Sequence, residues 1–259
     1  MRHIRCRRSQ LAAFAALLIS TVPATAQSPA AGSLPDADEL VARYVDAIGG
    51  RDRVLSAGAS RVVGTFSMPA MGIEGRMEVV SAPPNRVRVR MEMPGMGTIE
   101  NGFDGKVAWA VGPMGAQVLE GAELQAVSEE ADVLAAVRDR SLFESVETVE
   151  RTEMNGEACY KVKFVWKSGN TSFDCYSVES GLLVANIISR PSPQGTVEME
   201  QHYSNYEEHD GFVRPMRVVQ RIMGQEQVIT IESLTLGDVP DSEFEPPASI
   251  RSRIDGGKP

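Results

Sequence analysis

The sequence predicts a mainly antiparallel β domain with a minority of helix, an α+β chain, and three observations carry that prediction. Residues Arg86 to Met93 alternate charged and apolar side chains without exception, the pattern of a strand with one wet and one apolar face, which no helix would sort that way. Similar short runs recur from Arg61 onward, separated by pairs such as Asp104-Gly105, Asn155-Gly156 and Asp210-Gly211. Such pairs supply the positive φ angles of tight hairpins. Only two stretches instead repeat apolar residues at three- and four-residue spacing, the period of an amphipathic helix.

In chain order, Arg2, Arg5, Arg7 and Arg8 precede an apolar run from Leu11 to Ile19 and then Ala24-Thr25-Ala26. This is the three-part layout of a secretory signal, and it places cleavage after Ala26. The alternative, an uncleaved anchor, has an apolar run of only about half the roughly 20 residues that cross a bilayer. Residues 27–35 are small and rich in Pro, Ala, Ser and Gly, the composition of a flexible leader.

Asp36 with Glu39 forms a capping-box pattern. Leu40, Val41, Tyr44, Val45 and Ile48 then fall on one helical face before Gly49-Gly50 stops the helix. The strand runs follow at 73–81, 86–93, 98–103 and 106–111. A second helix is predicted between Gly121 and Arg140, with Leu124, Val127, Ala131, Leu134 and Val137 on its apolar stripe. Strands resume at 145–154, 159–167, 172–178, 182–190, 196–206, 212–223 and 226–236, a meander of ten or eleven strands. Two helices with one apolar stripe each must cover one face of this sheet. Residues 36–248 read as a single domain and 249–259 as a disordered C-terminal tail.

The charge balance bounds function. The chain of 259 residues has 26 basic and 35 acidic side chains. Loss of the four leader arginines would leave 22 against 35, a net charge of −13 over 233 residues. Such a balance argues against binding nucleic acid or an anionic membrane through a broad basic patch. Cys159 and Cys175 remain after processing, on what read as neighbouring strands of one hairpin, so an exported context suggests a local disulfide. The alternative, a redox-active pair, lacks a CxxC motif.

Catalytic patterns are scarce. The sequence holds no G-x-S-x-G, H-E-x-x-H, P-loop or G-x-G-x-x-G, so no enzyme and no cofactor is expected. His202 and His209 are seven apart, a spacing that on a strand faces opposite sides, and their stretch ends at the Asp210-Gly211 turn, which disfavours a shared metal. Methionines crowd the first half: Met68, Met71, Met77, Met91, Met93, Met96 and Met114. Flexible thioethers suit an adaptable apolar cavity, although ordinary core packing and Cu(I) ligation by Met91, Met93 and Met96 are both open. The candidate cavity lining is therefore Met68, Met71, Val87, Val89, Met91 and Met93 from the strands, with Leu124, Val127 and Leu134 from the second helix. Trp109, on an inferred strand, is a further candidate, although packing within the sheet is the role its position favours over ligand contact.

A set of short motifs in a fixed order adds a resemblance. The helix ending in Gly49-Gly50, Met68-Pro69-Ala70-Met71-Gly72, Pro94-Gly95-Met96-Gly97, Gly102-Phe103-Asp104-Gly105 before Ala108-Trp109, Cys159-Tyr160-Lys161-Val162, Ser180-Gly181-Leu182-Leu183 and Phe244-Glu245-Pro246-Pro247 together resemble a divergent branch of the LolA/LolB-like outer-membrane lipoprotein-sorting proteins. The resemblance implies a strongly curved antiparallel sheet, an incomplete barrel, with helices on its concave face and an apolar cavity between. It implies a periplasmic carrier of lipid or lipoprotein acyl chains, with lipoprotein-transfer components of the inner and outer membranes as partners. A sensor or assembly partner built on the same fold is the alternative.

Overall fold

In the computed structural model, which describes residues 33–95, 97–192 and 195–256, Asp36 starts the fold as its sequence context predicts. Its carboxylate accepts the backbone N–H groups of Asp38 at 2.8 Å and Glu39 at 3.4 Å, donors that a helix start would otherwise leave unpaired. Helix α1 (Ala37–Ala47) follows and buries Ala37, Leu40 and Val45. The chain then turns at Gly49, where φ is +119° and a Cβ would stand 2.3 Å from the Gly211 carbonyl oxygen. Only glycine fits that approach. A six-residue helix, α2 (Arg51–Ser56), comes next. The predicted signal segment lies outside the described residues, as do residues 27–32 of the leader.

Thirteen strands make one antiparallel sheet, against the ten or eleven expected. They are β1 (Ser60–Met68), β2 (Ile73–Ala82), β3 (Arg86–Met93), β4 (Gly97–Phe103), β5 (Ala108–Gly112), β6 (Gly115–Leu119), β7 (Phe143–Met154), β8 (Glu157–Trp166), β9 (Thr171–Ser177), β10 (Leu183–Ser192), β11 (Gly195–His209), β12 (Phe212–Ile222) and β13 (Gln225–Leu236). The two strands without a predicted range are β1, which lies in the stretch from Arg61 where the period changes, and β6, whose five residues show no alternation. Spatially the order runs from β6 back to β1, then β13 back to β7. The first and last strands of the meander thus meet in the middle, leaving β6 and β7 as open edges.

The single predicted second helix is broken in two, α3 (Gly121–Ala131) and α4 (Val133–Ala136), because Asp132 adopts extended backbone and caps the second piece through Leu134 N–H at 2.8 Å. Helix α3 touches β4 and β5 at one side and β10 at the other. In a flat sheet β4 and β10 would lie about 34 Å apart, roughly twice the ~16 Å length of an 11-residue helix. The sheet is therefore strongly curled and unclosed, with α3 across its hollow.

Strand register assigns every side chain to a face. Val87, Val89, Met91 and Met93 share the concave face with Met77, Phe66, Ile229 and Val218 across the paired strands. Phe66, Met77, Met93, Val218 and Ile229 form a buried cluster there, and Met91, Ile99 and Tyr203 pack against it. Toward the β7 edge, Ala37 and Leu40 of α1 pack on Phe143, Val162, Phe164 and Tyr176 of the same face.

Residues 249–256 of the predicted tail are helical where disorder was expected, and residues 257–259 lie outside the described residues. Residues Ala248–Gly256 form helix α5, in which Ile250 is fully buried. Just before it, Phe244 packs on Val80 and Ala82 of the convex face. Glu243 pairs with Arg61 at 3.0 Å and Arg88 at 2.5 Å. Phe244 and Ile250 are isolated apolar residues in a polar, Pro-rich stretch, so local composition hides a segment that long-range packing fixes.

Asp139, at the end of α4, accepts the Ser141 backbone N–H at 2.9 Å and the Ser141 hydroxyl, and it pairs with Arg51 of α2. The Ser141 bonds, with help from Arg51, lower its pKa to about 2. A carboxylate depressed in this way contributes stability that is present above the unfolded value of about 3.9 and lost as pH falls toward the folded one. Asp139→Asn lacks that contribution at every pH. Its melting temperature, followed by circular dichroism from about pH 5 to about pH 2.5, is therefore expected to fall less steeply than that of the native protein. Parallel curves would contradict the assignment.

Candidate functional site

The hollow between the curled sheet and the helices is not filled by side chains. Three adjoining cavities, of about 220, 280 and 250 Å³, meet around Arg138, which lines all three. The first opens between α3 and the strand ends at Trp166, Asn170 and Ile188. The second runs under α3 and α4 past Val54, Val87 and Leu236, and the third lies between Tyr44, Tyr206 and Arg214. Four small helical residues, Ala126, Ala131, Ala135 and Ala136, line the space and leave it open, alongside Glu129, Glu130 and Val133. Alanine fills little volume, so a helix stripe built from it stands off the sheet without closing onto it.

The lining is amphiphilic where an apolar one was expected, because the inward positions of β9, β10 and β11 carry Asp174, Ser172, Asn186 and Gln201. Asp174 is 1% exposed. It accepts Arg138 Nε at 2.6 Å, the Tyr176 hydroxyl at 2.7 Å and Asn186 Nδ2 at 2.6 Å. This is the dense hydrogen bonding a buried carboxylate requires. Arg138 reaches it from a left-handed backbone turn at φ +50° after α4, and its guanidinium lies 6.0 Å from the centre of the Tyr44 ring. Burial, reinforced by the Asp174 charge, holds the Tyr176 hydroxyl well above its ordinary pKa, and burial raises those of Tyr44, Tyr203 and Tyr206. All four phenols are therefore neutral hydrogen-bonding groups at neutral pH.

The structure disperses the residues singled out from the sequence. Val87 lines the second cavity. Met91 and Met93 belong to the apolar concave cluster that adjoins Tyr203. Val89 shares their face, and Met68 ends β1 opposite Ile73. Met71 is 56% exposed on a hairpin tip, away from the hollow. Leu124, Val127 and Leu134 are half-buried on α3 and α4 but line none of the three cavities. Met96 falls outside the described residues.

Two expectations are corrected. Trp109 is fully buried on the convex face, because it pairs with Gly102 in the row that includes Val80 and Arg88, one residue out of phase with Val87 and Phe103. Its indole lies where a Gly102 Cβ would be, 2.1 Å from the nearest ring carbon. It packs within the sheet. Cys159 and Cys175 are buried free thiols on β8 and β9, with no disulfide between them. Cys159 stands opposite Ser177 and Cys175 opposite Lys161, a two-residue offset. Such diagonal neighbours sit about 7–8 Å apart, at or beyond the roughly 7 Å Cα limit for a bridge. The hydrogen bond that Cys175 donates to Cys159, together with burial, pushes the Cys175 thiol up.

Arg138, Asp174, Tyr44, Tyr203 and Arg214 went unrecognised in the sequence. One signal was available. Asp174 sits in Thr171-Ser-Phe-Asp-Cys-Tyr176 at the same parity as Ser172 and Tyr176, which places a charge on the covered face of a strand. Among the described residues no three of His, Cys, Asp and Glu gather as a metal cluster, and no helix is long and apolar enough to span a membrane.

Known folds give this architecture a context. A LolA superfamily protein from Nitrosomonas europaea superposes with a TM-score of 0.53 over 82% of this chain and 99% of its own, at 15% identity. A DUF1329 family protein from Desulfovibrio piger gives 0.56 over 81% and 97%, at 12% identity. A Vibrio parahaemolyticus domain assigned to outer membrane lipoprotein sorting gives 0.52 over 80% and 97%, at 9% identity. The chain has the LolA-like fold, an open antiparallel half-barrel. No family model matches the sequence, and no curated protein does.

Proposed function

We propose that the protein is an exported, periplasmic binder or carrier that holds the acyl part of a lipid or lipidated protein in the hollow beneath α3 and α4. The observation that carries this reading is the set of adjoining cavities at Arg138, left open by an alanine stripe on the covering helices. Each methylene withdrawn from water is worth about 0.8 kcal/mol, so a chain of roughly 15 gains about 12 kcal/mol gross. Release requires the cover to move, and two short helices interrupted at Asp132 form a cover with a ready hinge. Lipoprotein-transfer components at the two membranes are the partners this role calls for, and the role involves no bond-making chemistry.

Native mass spectrometry of protein purified from cells is expected to show a bound lipid. The Ala135→Phe variant, which fills space shared by two of the cavities, should bind a fluorescent fatty acid at least about tenfold more weakly while keeping the native circular dichroism spectrum. Native protein that carries no lipid and ignores the fluorescent fatty acid would end this reading.

A partner-recognition role has its own supporting observation. In the antiparallel order, the β1–β2, β5–β6 and β12–β13 turns fall at one end of the sheet, and each presents an exposed Met-Gly tip: Met71, Met114 and Met223. Flexible apolar tips of this kind suit adaptable protein contact. A stable crosslinked complex in cells, formed equally by the native chain and the Ala135→Phe variant, would favour recognition over carriage.

A further inference from the structure

The two arginines of the hollow are not equivalent. Arg138 is neutralised by Asp174. Arg214, on the inward side of β12, lines the second and third cavities and has no carboxylate partner among the described residues. Its Nε is buried with no hydrogen-bond acceptor, and its nearest compensation is the ring of Phe212, 5.8 Å from the guanidinium carbon. Burial lowers its pKa from the usual guanidinium value, as expected for a desolvated cation that nothing repays.

A second unspent donor lies beside it. The hydroxyls of Tyr176, Tyr203 and Tyr206 donate to Asp174, Gln201 and the Leu183 carbonyl. The Tyr44 hydroxyl makes no hydrogen bond among the described residues. It lines the same third cavity as Arg214. From this corner the second cavity leads away past the apolar Val54, Val87, Ala136 and Leu236, with Ser60, Ser81, Glu130 and Asp132 on other parts of its wall. A cation and a phenol without acceptors, at the head of a channel with an apolar flank, match an amphipathic molecule with an anionic end.

We infer that Arg214 and Tyr44 form an anion subsite that takes the carboxylate or phosphate headgroup of a lipid whose chain occupies the channel under α3 and α4. The inference rests on the binder reading above and narrows its ligand to an acidic amphiphile. Buried hydrogen bonds to a charged group are strong, and an unpaired buried cation rejects a neutral analogue that leaves it unpaired.

The test is a fluorescence-displacement assay on the delipidated full chain, with palmitate against methyl palmitate and dodecyl phosphate against dodecanol. In the native protein each acid is expected to bind about tenfold or more tightly than its neutral partner. Arg214→Met, which keeps the apolar volume, should bind acid and neutral partner alike. Arg214→Lys should retain part of the preference, and Tyr44→Phe should reduce it. The ratio between the palmitate and dodecyl phosphate arms tells a carboxylate from a phosphate source. Equal affinity of the native protein for acid and ester overturns the subsite and leaves the binder reading standing, and a preference that survives in Arg214→Met overturns it too. Failure of all four probes to bind overturns both. The native comparison needs no variant, so it decides the matter even if Arg214→Met does not fold.

Discussion

Replacing Asp174 by alanine is expected to cost about 3–5 kcal/mol, because it strands the Arg138 cation in the interior without its counter-charge. The same change leaves the Tyr176 hydroxyl and the Asn186 amide without their acceptor, each a buried donor with a penalty of its own. At roughly 2–4 °C per kcal/mol for a domain of this size, the melting temperature should fall by about 10 °C. The double variant Arg138→Met with Asp174→Leu removes both charges and fills their space, and it should recover much of the loss. Thermal melts of the two variants against the native protein settle the point. A single variant as stable as the native chain would mean that water, and not Asp174, satisfies Arg138. The pair also fixes the end of α4 against β9, so the double variant should melt normally yet hold its helical cover less firmly. Faster hydrogen exchange at residues 133–142 would report that loosening.

The second large effect lies on the opposite face. Phe244→Ala is expected to cost about 3–5 kcal/mol, the usual range for a fully buried phenylalanine. Phe244 is 1% exposed against Val80 and Ala82, with Arg86 positioned 4.7 Å from its ring centre. Its loss leaves a cavity beneath the turn that also presents Glu243 to Arg61 and Arg88. A urea titration should show a lowered midpoint. Limited proteolysis should cut the variant near residues 238–247 before any other site. An unaltered midpoint would mean that the C-terminal segment is not held to the sheet by this side chain, contrary to its burial.

The two predictions probe parts of the molecule that differed in how openly the sequence declared them. The period-two alternation of Arg86 to Met93 gave both the strand and its faces, and the register carries that alternation unbroken across β2, β3 and β4. Asp36 and Gly49 marked the limits of α1 by the chemistry of helix ends. The Asp-Gly and Asn-Gly pairs located hairpins. All of these are local signals, in which a residue and its neighbours within a turn or a strand settle the backbone between them. The C-terminal segment has no such signal: Phe244 and Ile250 are buried by strands more than a hundred residues earlier in the chain, and nothing adjacent foretells it.

The candidate site followed the same division. Methionines in the first half were expected to line a cavity. Met91 and Met93 do lie on the concave face, yet the open space sits farther along it, beneath alanines on α3 and α4. Which residues leave room is decided by what stands opposite them, and alanine in a helix carries no mark of whether its neighbour is close or far. Trp109, a candidate for the cavity from its place on a strand, is removed from it by a single-residue step in register.

By itself, then, the sequence determined the antiparallel meander, the first helix and the acidic charge balance, because each follows from side-chain period, turn chemistry or charge count. Only the tertiary structure decided the curl of the sheet, the pairing of Arg138 with Asp174 and the isolation of Arg214. Those depend on strands brought together from 36 residues apart or more. A buried charge is recognisable as paired or unpaired only once the interior that excludes water from it has formed.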